Sequence, residues 1–369
     1  MARCERHAAA ENRARPCDEC EAFDADGDGD IDLAIAMERG TNRLLLNDGR
    51  GRFGDASANL PQNKLDSEEI AILDFDRDGL ADIAVANEDD LLPELYRNRG
   101  AGKFSDESSR IVVRVKANAV VAFDADGDGF TDLFFGGDKV SHLLMGKAEG
   151  SFADESAARL PHTYGATQDV AVGDLDGDRD ADLVLGNEDR NQIYRNDGKG
   201  VFTLAPSENL PRAANPEETR DVELFDADKD GDLDIFFANT QVWNPRAVPQ
   251  NRLLLNDGKG QFSDATAAWL PQREEPTTTA LPIDIDGDGR LDLLTGVRAD
   301  ISGRTADAPV RAFRNRGDRF EEATETLLPP GIVGNAFDII AADFDGDGKD
   351  DIFVAGRAGP DRLLLTRKP

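Results

Sequence analysis

The sequence predicts an all-β fold, a seven-bladed β-propeller with four-stranded antiparallel blades, and three observations carry that prediction. The string Asp-x-Asp-x-Asp-x-x-x-Asp occurs seven times, starting at Asp24, Asp74, Asp124, Asp174, Asp226, Asp284 and Asp343. Successive copies lie 50, 50, 50, 52, 58 and 59 residues apart. Each copy is flanked by short apolar runs, and no segment sustains the 3.6-residue periodicity of a helix. A self-similar unit of this size is a module that buries its faces against its neighbours. A domain of about 50 residues would be marginal alone, so a closed ring is favoured over an open array.

Each unit reads as four strands in a fixed order. A first apolar run precedes the acidic string, as in Glu69-Ile-Ala-Ile-Leu73 and Asp169-Val-Ala-Val-Gly173. A second follows it, as in Asp82-Ile-Ala-Val-Ala86, Asp132-Leu-Phe-Phe-Gly136 and Asp234-Ile-Phe-Phe-Ala238. A third is typified by Arg43-Leu-Leu-Leu-Asn47 and Arg252-Leu-Leu-Leu-Asn256. It usually runs into Asn-Asp-Gly-x-Gly, which supplies the positive φ that a hairpin needs. The fourth begins at Phe53, Phe104, Phe152, Phe202, Phe262 or Phe320, and a Leu-Pro link such as Leu60-Pro61 or Leu270-Pro271 leads to the next unit. The seventh unit ends after Arg362-Leu-Leu-Leu365 without such a Phe. Residues 18–369 therefore form the propeller. Residues 1–17 are an N-terminal extension, either disordered or closing the ring, and their lack of a Phe suits them poorly to the missing strand.

The acidity excludes several functions. Asp and Glu number 74 against 42 Lys and Arg, a formal net charge of −32, which rules out an electrostatic nucleic-acid binder and disfavours an anionic membrane surface. Disorder is excluded by 39 % hydrophobic residues including 19 Phe. No apolar run is long enough to span a membrane.

The acid concentrates in the loop between first and second strands. Side chains at positions 1, 3 and 5 converge on one centre, position 7 adds a backbone carbonyl, and the carboxylate at position 9 closes the shell. An all-oxygen set of this density suits a hard cation of high coordination number, Ca²⁺ rather than Zn²⁺. Mg²⁺ prefers fewer protein ligands. The candidate ligands are Asp24, Asp26, Asp28 and Asp32; Asp74, Asp76, Asp78 and Asp82; Asp124, Asp126, Asp128 and Asp132; Asp174, Asp176, Asp178 and Asp182. The last three copies add Asp226, Asp228, Asp230 and Asp234; Asp284, Asp286, Asp288 and Asp292; and Asp343, Asp345, Asp347 and Asp351. Position 6 is Gly, which permits the sharp turn, except in the fourth copy, where Arg179 is expected to alter the loop geometry. An EF-hand is excluded because position 12 is a strand residue (Ile35, Val85, Phe135) rather than Glu. The 28 loop aspartates account for all but four of the 32 net negative charges.

This Asp-x-Asp-x-Asp-Gly-x-x-Asp loop, repeated every 50 residues or so, resembles the FG-GAP/VCBS repeats of integrin α-chain-like propellers. The resemblance covers about residues 18–369. It implies up to seven Ca²⁺ ions on one face, held in the first copy by Asp24, Asp26, Asp28, Asp32 and the carbonyl of Asp30. It also implies ligands on the loops of the opposite face, and roles in adhesion, carbohydrate recognition or as non-catalytic parts of secreted proteins. All seven units carry the loop, more than integrin chains do, so the bacterial-type VCBS relatives are nearer and integrin function does not transfer.

Sites of this kind in extracellular modules fill at roughly 10⁻⁴–10⁻³ M Ca²⁺, which points to an extracellular or periplasmic protein. The first sixteen residues lack the apolar core of a signal peptide, so the export signal is removed or the chain belongs to something longer. Cys4, His7, Cys17 and Cys20 admit three readings: unpaired thiols, a disulfide from Cys4, or a zinc site.

No catalytic motif is present, and of the three histidines His142 and His162 read as ordinary repeat positions, so the chain is expected not to be an enzyme. The alternative is the propeller part of a carbohydrate-active enzyme such as a polysaccharide lyase. The stretches Asp234 to Asn256 and Asp292 to Asn315 are longer than their counterparts. Their extra residues fall between second and third strands of adjacent blades, opposite the acidic loops. They contain Trp243, Asn244, Arg246, Arg298, Asp300 and Arg304. Trp243, Arg246, Arg298 and Arg304 are the candidate ligand-binding residues, because Trp and Arg anchor recognition and loops on a rigid scaffold carry it. Trp269 is expected to pack at the rim, and Arg316-Gly317-Asp318 to be a hairpin turn. The partner is a protein or carbohydrate.

Overall fold

A computed structural model describes residues 4–8 (as backbone), 17–162, 165–298, 308–333, 335–357 and 360–366. It contains seven sheets of four antiparallel strands. Blade one is Cys17–Phe23, Asp32–Met37, Arg43–Asn47 and Phe53–Asp55, from the axis outward. Blades two to six repeat that order, with innermost strands Ser67–Leu73, Ala117–Phe123, Thr167–Gly173, Thr219–Phe225 and Thr277–Ile283. In blade seven the strands Ala336–Ala342, Asp351–Gly356 and Arg362–Thr366 are completed by Cys4–Ala8, which pairs antiparallel with Arg362–Thr366. The ring is thus closed by a sheet drawing on both ends of the chain. Backbone pairing is the main requirement there, so the absence of a Phe does not prevent it.

The second strand of every blade is buried along its length, as in Asp32–Met37 and Asp234–Asn239, because both faces meet neighbouring blades. That is why these strands read as continuous apolar runs. Seven apolar clusters fill the seven gaps. The one between blades seven and one holds Leu33, Ile35, Phe344, Phe353 and Leu363. The fourth-strand Phe belongs to these gaps: Phe53 lies edge-on to Phe344 at 5.6 Å, and Phe202 to Phe123 at 6.3 Å. Burying such a ring is worth about 2–3 kcal/mol. One feature departs from the all-strand expectation. A single helical turn follows most fourth strands, for example Ser57–Asn59 and Thr266–Trp269. Its first hydroxyl accepts a third-strand N–H (Leu44 to Ser57, 3.2 Å; Leu253 to Thr266, 3.2 Å), which fastens the link across the blade edge.

Two polar devices tie the blades together. The Asn ending the third strand reaches across the gap. Asn98 Nδ2 donates to the carbonyls of Ala81 (3.0 Å) and of Ala25 in blade one (2.9 Å). Asn47, Asn196, Asn256 and Asn315 do the same, with Phe344, Ala125, Leu175 and Ala227 as the carbonyls of the preceding blade. These asparagines, read as hairpin residues, are also inter-blade clamps. At the axis, Glu19, Glu69, Asp169, Asp221 and Asp338 each accept a backbone N–H from the next blade (Ile70, Val120, Val222, Ala280 and Cys20) at 2.5 to 3.1 Å. Blades three and six carry Ala119 and Thr279 at that register. There the orphaned N–H groups of Val170 and Ile339 turn to their own Asp169 and Asp338, both at 2.7 Å.

These acids line an axial cavity of about 420 Å³ with Asp18, Glu21, Glu68 and Glu223, and Arg220 is the one cation among its lining residues. Burial and the Asp338 charge push Glu21 up to about 7, and burial, against the N–H bonds from Val222 and Val170, brings Asp169 to about 6. Glu19, Glu69, Asp221 and Glu223 are also raised well above the usual carboxylate range, burial again leading. Cys17 and Cys20 are buried free thiols, and Cys20 Sγ donates to Asp338 at 3.0 Å. With both thiols free, neither is joined to Cys4 in a disulfide. The side chains of Cys4 and His7 lie outside the described residues, and with them the zinc reading.

Two outcomes follow from these contacts. Asn98→Ala strands one buried carbonyl and one half-buried one and is expected to cost about 1–3 kcal/mol in urea unfolding at fixed metal concentration, against within about 0.5 kcal/mol for exposed Lys64→Ala. The channel acids hold protons more tightly folded than unfolded, so stability falls as pH rises from the unfolded carboxylate range through about 6–7. Metal-free protein should therefore melt at a higher temperature at pH 5.5 than at pH 8, and Glu21→Gln should flatten that slope.

Candidate functional site

Every acidic loop has the same internal wiring. The position-1 carboxylate accepts the position-6 N–H in all seven, from Asp24 with Gly29 (3.0 Å) to Asp343 with Gly348 (2.8 Å). The residue at position 6 has positive φ throughout, which Gly supplies without cost. Arg179 takes the same conformation (φ 76°) and makes the same bond to Asp174 at 2.9 Å. The fourth loop therefore keeps its shape, at a strain of about 1–2 kcal/mol for a side chain in the left-handed region. Position 4 is left-handed too, and there Arg77 and Lys229 replace Gly in blades two and five.

The position-9 aspartate does more than close a shell. Asp32, wholly buried, accepts the N–H of Ala25 through Oδ2 (2.9 Å) and of Asn47 through Oδ1 (2.7 Å). Asp82, Asp132, Asp182, Asp234 and Asp351 make the corresponding pair of bonds. Asp292 keeps only the bond from Asn315, because Ile285 N–H turns to the Ile283 carbonyl. Burial outweighs those N–H bonds and raises these carboxyls, Asp32 to about 6 and Asp82 to about 7. Each joins the loop to the third strand whether or not an ion is present.

The loop carboxylates together fit a metal. In five loops (Asp24, Asp26, Asp32; Asp74, Asp76, Asp78; Asp124, Asp126, Asp132; Asp174, Asp176, Asp178; Asp226, Asp228, Asp230) one oxygen from each residue lies within 4.8 Å of the others, and further such groups exist. Asp76, Asp126, Asp176 and Asp347 each leave Oδ1 buried without a hydrogen-bond partner. A buried carboxylate oxygen left bare is costly unless a cation completes it. In the first and fifth loops, burial and then the neighbouring Asp28 and Asp230 charges raise Asp26 and Asp228. All donors are oxygen, which is hard-cation chemistry.

The opposite face carries a second feature. At the mouth of the axial channel is a cavity of about 310 Å³ lined by Glu38, Asp66, Glu218, Arg220, Trp243, Arg298 and Arg357 among others. Trp243 is 60 % exposed. Its loop is nonetheless fixed, because buried Glu218 accepts the N–H groups of Val242 (2.9 Å), Trp243 (3.0 Å) and Asn244 (2.7 Å). Arg298 and Arg357 both stack on Phe337, 5.5 and 4.2 Å from the ring centre. Of the four residues predicted for a ligand, the structure brings Trp243 and Arg298 together. Arg246 is exposed and outside this cavity, and Arg304, with Asp300, lies outside the described residues. Trp269 packs on Phe320 at 6.1 Å, and Arg316 to Arg319 closes a hairpin turn with a 2.8 Å backbone bond.

Sequence reasoning missed the channel acids and Glu218. The signal for the former was present, since a carboxylate stands five residues before the loop in five of the seven repeats. It lay inside strands read only for their apolar residues.

The fold is shared by solved structures of low identity. A lectin from Agrocybe aegerita, described as recognising non-reducing terminal N-acetylglucosamine, superposes with a TM-score of 0.51 at 16 % identity, covering 92 % of this chain and 86 % of that one. BBS1N in its complex with ARL6DN gives 0.58 at 12 %, covering 98 % and 94 %. The extracellular domain of the hybrid two component system BT4673 from B. thetaiotaomicron gives 0.59 at 11 %, covering 100 % of this chain and 40 % of that one. No curated protein sequence matches the chain. The FG-GAP-like repeat matches six overlapping or successive stretches, residues 24–85, 74–135, 124–185, 174–237, 238–295 and 298–354. Spanning nearly the whole propeller, these matches establish that the chain belongs to the FG-GAP-like repeat family.

Proposed function

We propose that the chain is a calcium-stabilised, non-catalytic binding or scaffold propeller, acting outside the cell or in the periplasm. The observation that carries the metal half is the bare buried oxygen of Asp76, Asp126, Asp176 and Asp347 in loops already folded for a cation. Asp24, Asp26, Asp28 and Asp32 would hold the ion in blade one, with the carbonyl of Asp30, and the same offsets apply in the others. An ion there neutralises clustered carboxylates and favours the folded state by mass action. Position 9 contributes whatever lone pairs its two N–H bonds leave free. Chelation is expected to lower Tm by 5 °C or more and Ca²⁺ to restore it; a melting curve indifferent to chelator removes the metal assignment.

The binding half rests on Trp243, an exposed aromatic held rigid beside a cavity of paired charges. A stacking ring with Arg and carboxylate groups around it suits a sugar or a peptide segment. The resemblance in fold to a lectin, to BBS1N in its complex with ARL6DN and to an extracellular domain supports a protein or carbohydrate partner and an exported setting. The alternative, part of a carbohydrate-active enzyme, calls for a Lys, Arg or Tyr base beside a cleft; the described lining of this cavity holds Arg39, Arg220, Arg298 and Arg357 but no Tyr or Lys. Glycan-array and pull-down binding, measured with Ca²⁺ and with chelator, identifies the ligand. Trp243→Ala should then weaken that binding about tenfold or more while leaving Tm unchanged; full retention would move the site elsewhere.

A further inference from the structure

One register position separates the acidic loops into two kinds. The residue immediately before the clamp position at the end of the third strand is Leu46, Arg97, Met145, Arg195, Leu255, Arg314 and Leu365 in blades one to seven. Where it is Arg, the guanidinium meets the metal loop of its own blade. Arg97 places Nε 2.5 Å from Asp76 Oδ2 and Nη2 2.9 Å from Asp78 Oδ2. Arg195 Nη1 is 2.6 Å from Asp182 Oδ2 and 3.3 Å from Asp176 Oδ2. Arg314 Nε is 2.7 Å from Asp286 Oδ2. The Nε–H groups of Arg97 and Arg314 make no aligned hydrogen bond, so those approaches are Coulombic.

The other loops lack this partner. Among the described residues, no Lys or Arg forms an ion pair with the loop carboxylates of blades one, five and seven. Blade three is intermediate. Arg159 stands 3.3 Å from Asp126 Oδ2 but is held more closely by Glu155 at 2.6 Å. The three arginines are 13 to 26 % exposed at the side chain, so solvent screens them only in part. A fixed cation at this range repels a dication entering the same carboxylates and cancels part of the charge that attracts it. It leaves one position-3 oxygen open in blades two and four, since Asp76 and Asp176 keep a bare Oδ1, so the loop is weakened as a metal site but not blocked.

We propose that Arg97, Arg195 and Arg314 are built-in counter-ions that make blades two, four and six the low-affinity cation sites, leaving blades one, five and seven to fill with Ca²⁺ first. The proposal rests on the calcium reading of the loops. In the absence of metal the three arginine-bearing loops are already partly neutralised.

The test is calorimetric titration of Ca²⁺ into chelator-stripped full-length protein, beside the Tm of the stripped form. The native chain should show a tighter class and a weaker one. Replacing the three arginines by the residue of blades one, five and seven (Arg97→Leu, Arg195→Leu, Arg314→Leu) should tighten the weaker class about tenfold or more and lower the stripped Tm. Leu46→Arg with Leu255→Arg, the reciprocal change, should move two tight sites into the weaker class. It decides the question if the triple variant fails to fold. Unchanged affinities in either folded variant overturn the counter-ion role. A native chain that binds no Ca²⁺ overturns the calcium reading, and this proposal with it.

Discussion

A carboxylate buried at the start of each second strand is the constraint on which the rest of the ring depends. Asp32 and its counterparts in five other blades spend one oxygen on the metal loop and the other on the end of the third strand. That single group fixes where the loop begins, and it holds the third strand so that its terminal Asn can reach the previous blade. Replacing it by an apolar residue would strand two N–H groups in each of those six blades, and one at the counterpart in blade six, Asp292, the costly direction of the hydrogen-bond asymmetry. The loop, the hairpin and the inter-blade clamp are therefore consequences of one buried acid, and its own burial explains why it holds its proton up to about 6 or 7.

The architecture separates two chemistries by strand direction. Antiparallel strands put the first-to-second and third-to-fourth connections on one face and the second-to-third connections on the other. The acidic loops and the Asn-Asp-Gly turns share the first face, where the second Gly of the turn must lie close to the preceding blade. A Cβ at Gly51 would come within 2.9 Å of Leu363, and one at Gly150 within 2.6 Å of Phe75. The longer loops with Trp243 and Arg298 share the second face, where length is free to vary. Glu218 shows how such a loop is made rigid: three consecutive N–H groups converge on one carboxylate, so an exposed aromatic is presented without the ordering cost of a floppy segment.

What could be read in the sequence was whatever recurs with a fixed period and a local cause. Asp24 to Asp32 and their repeats announce a turn rich in ligands, and the apolar runs beside them announce strands buried on both sides. What could not be read depends on closure. Glu19 and Asp338 stand at the same register, yet their meeting with Ile70 and Cys20 exists only once the innermost strands form a ring. Asn98 looked like turn chemistry because Asn-Asp-Gly is what a hairpin needs, and the carbonyl it clamps belongs to a residue 73 positions earlier. Arg97 and Leu46 occupy one register position, but the difference matters only because the third strand runs alongside its own metal loop. Cys4–Ala8 carries no Phe, and the pairing it makes with Arg362–Thr366 needs backbone geometry rather than side-chain pattern.

The distribution of acid sharpens what a metal can and cannot do here. The loop aspartates explain most of the net charge, but the axial cavity adds nine carboxylates against Arg220, so the acidity is written in two places with opposite remedies. On the loop face the remedy is an arginine in three blades and, on the proposed reading, a bound cation. At the axis it is hydrogen bonding and retained protons, because each clasp leaves its carboxylate with a backbone N–H and a raised affinity for a proton. The forces that close the ring, namely the seven apolar gaps, the asparagine clamps and the axial clasps, use none of the loop carboxylates at positions 1, 3 and 5, and the N–H bonds of the position-9 acid are made without an ion. On the proposed calcium reading, removal of the ion would loosen one face by charge repulsion while the blades stay joined, and the depth of the blades separates that face from the one that carries Trp243. Binding at Trp243 should then survive chelation at temperatures below the melting of the metal-free protein, and a ligand lost together with the metal would place recognition on the loop face instead.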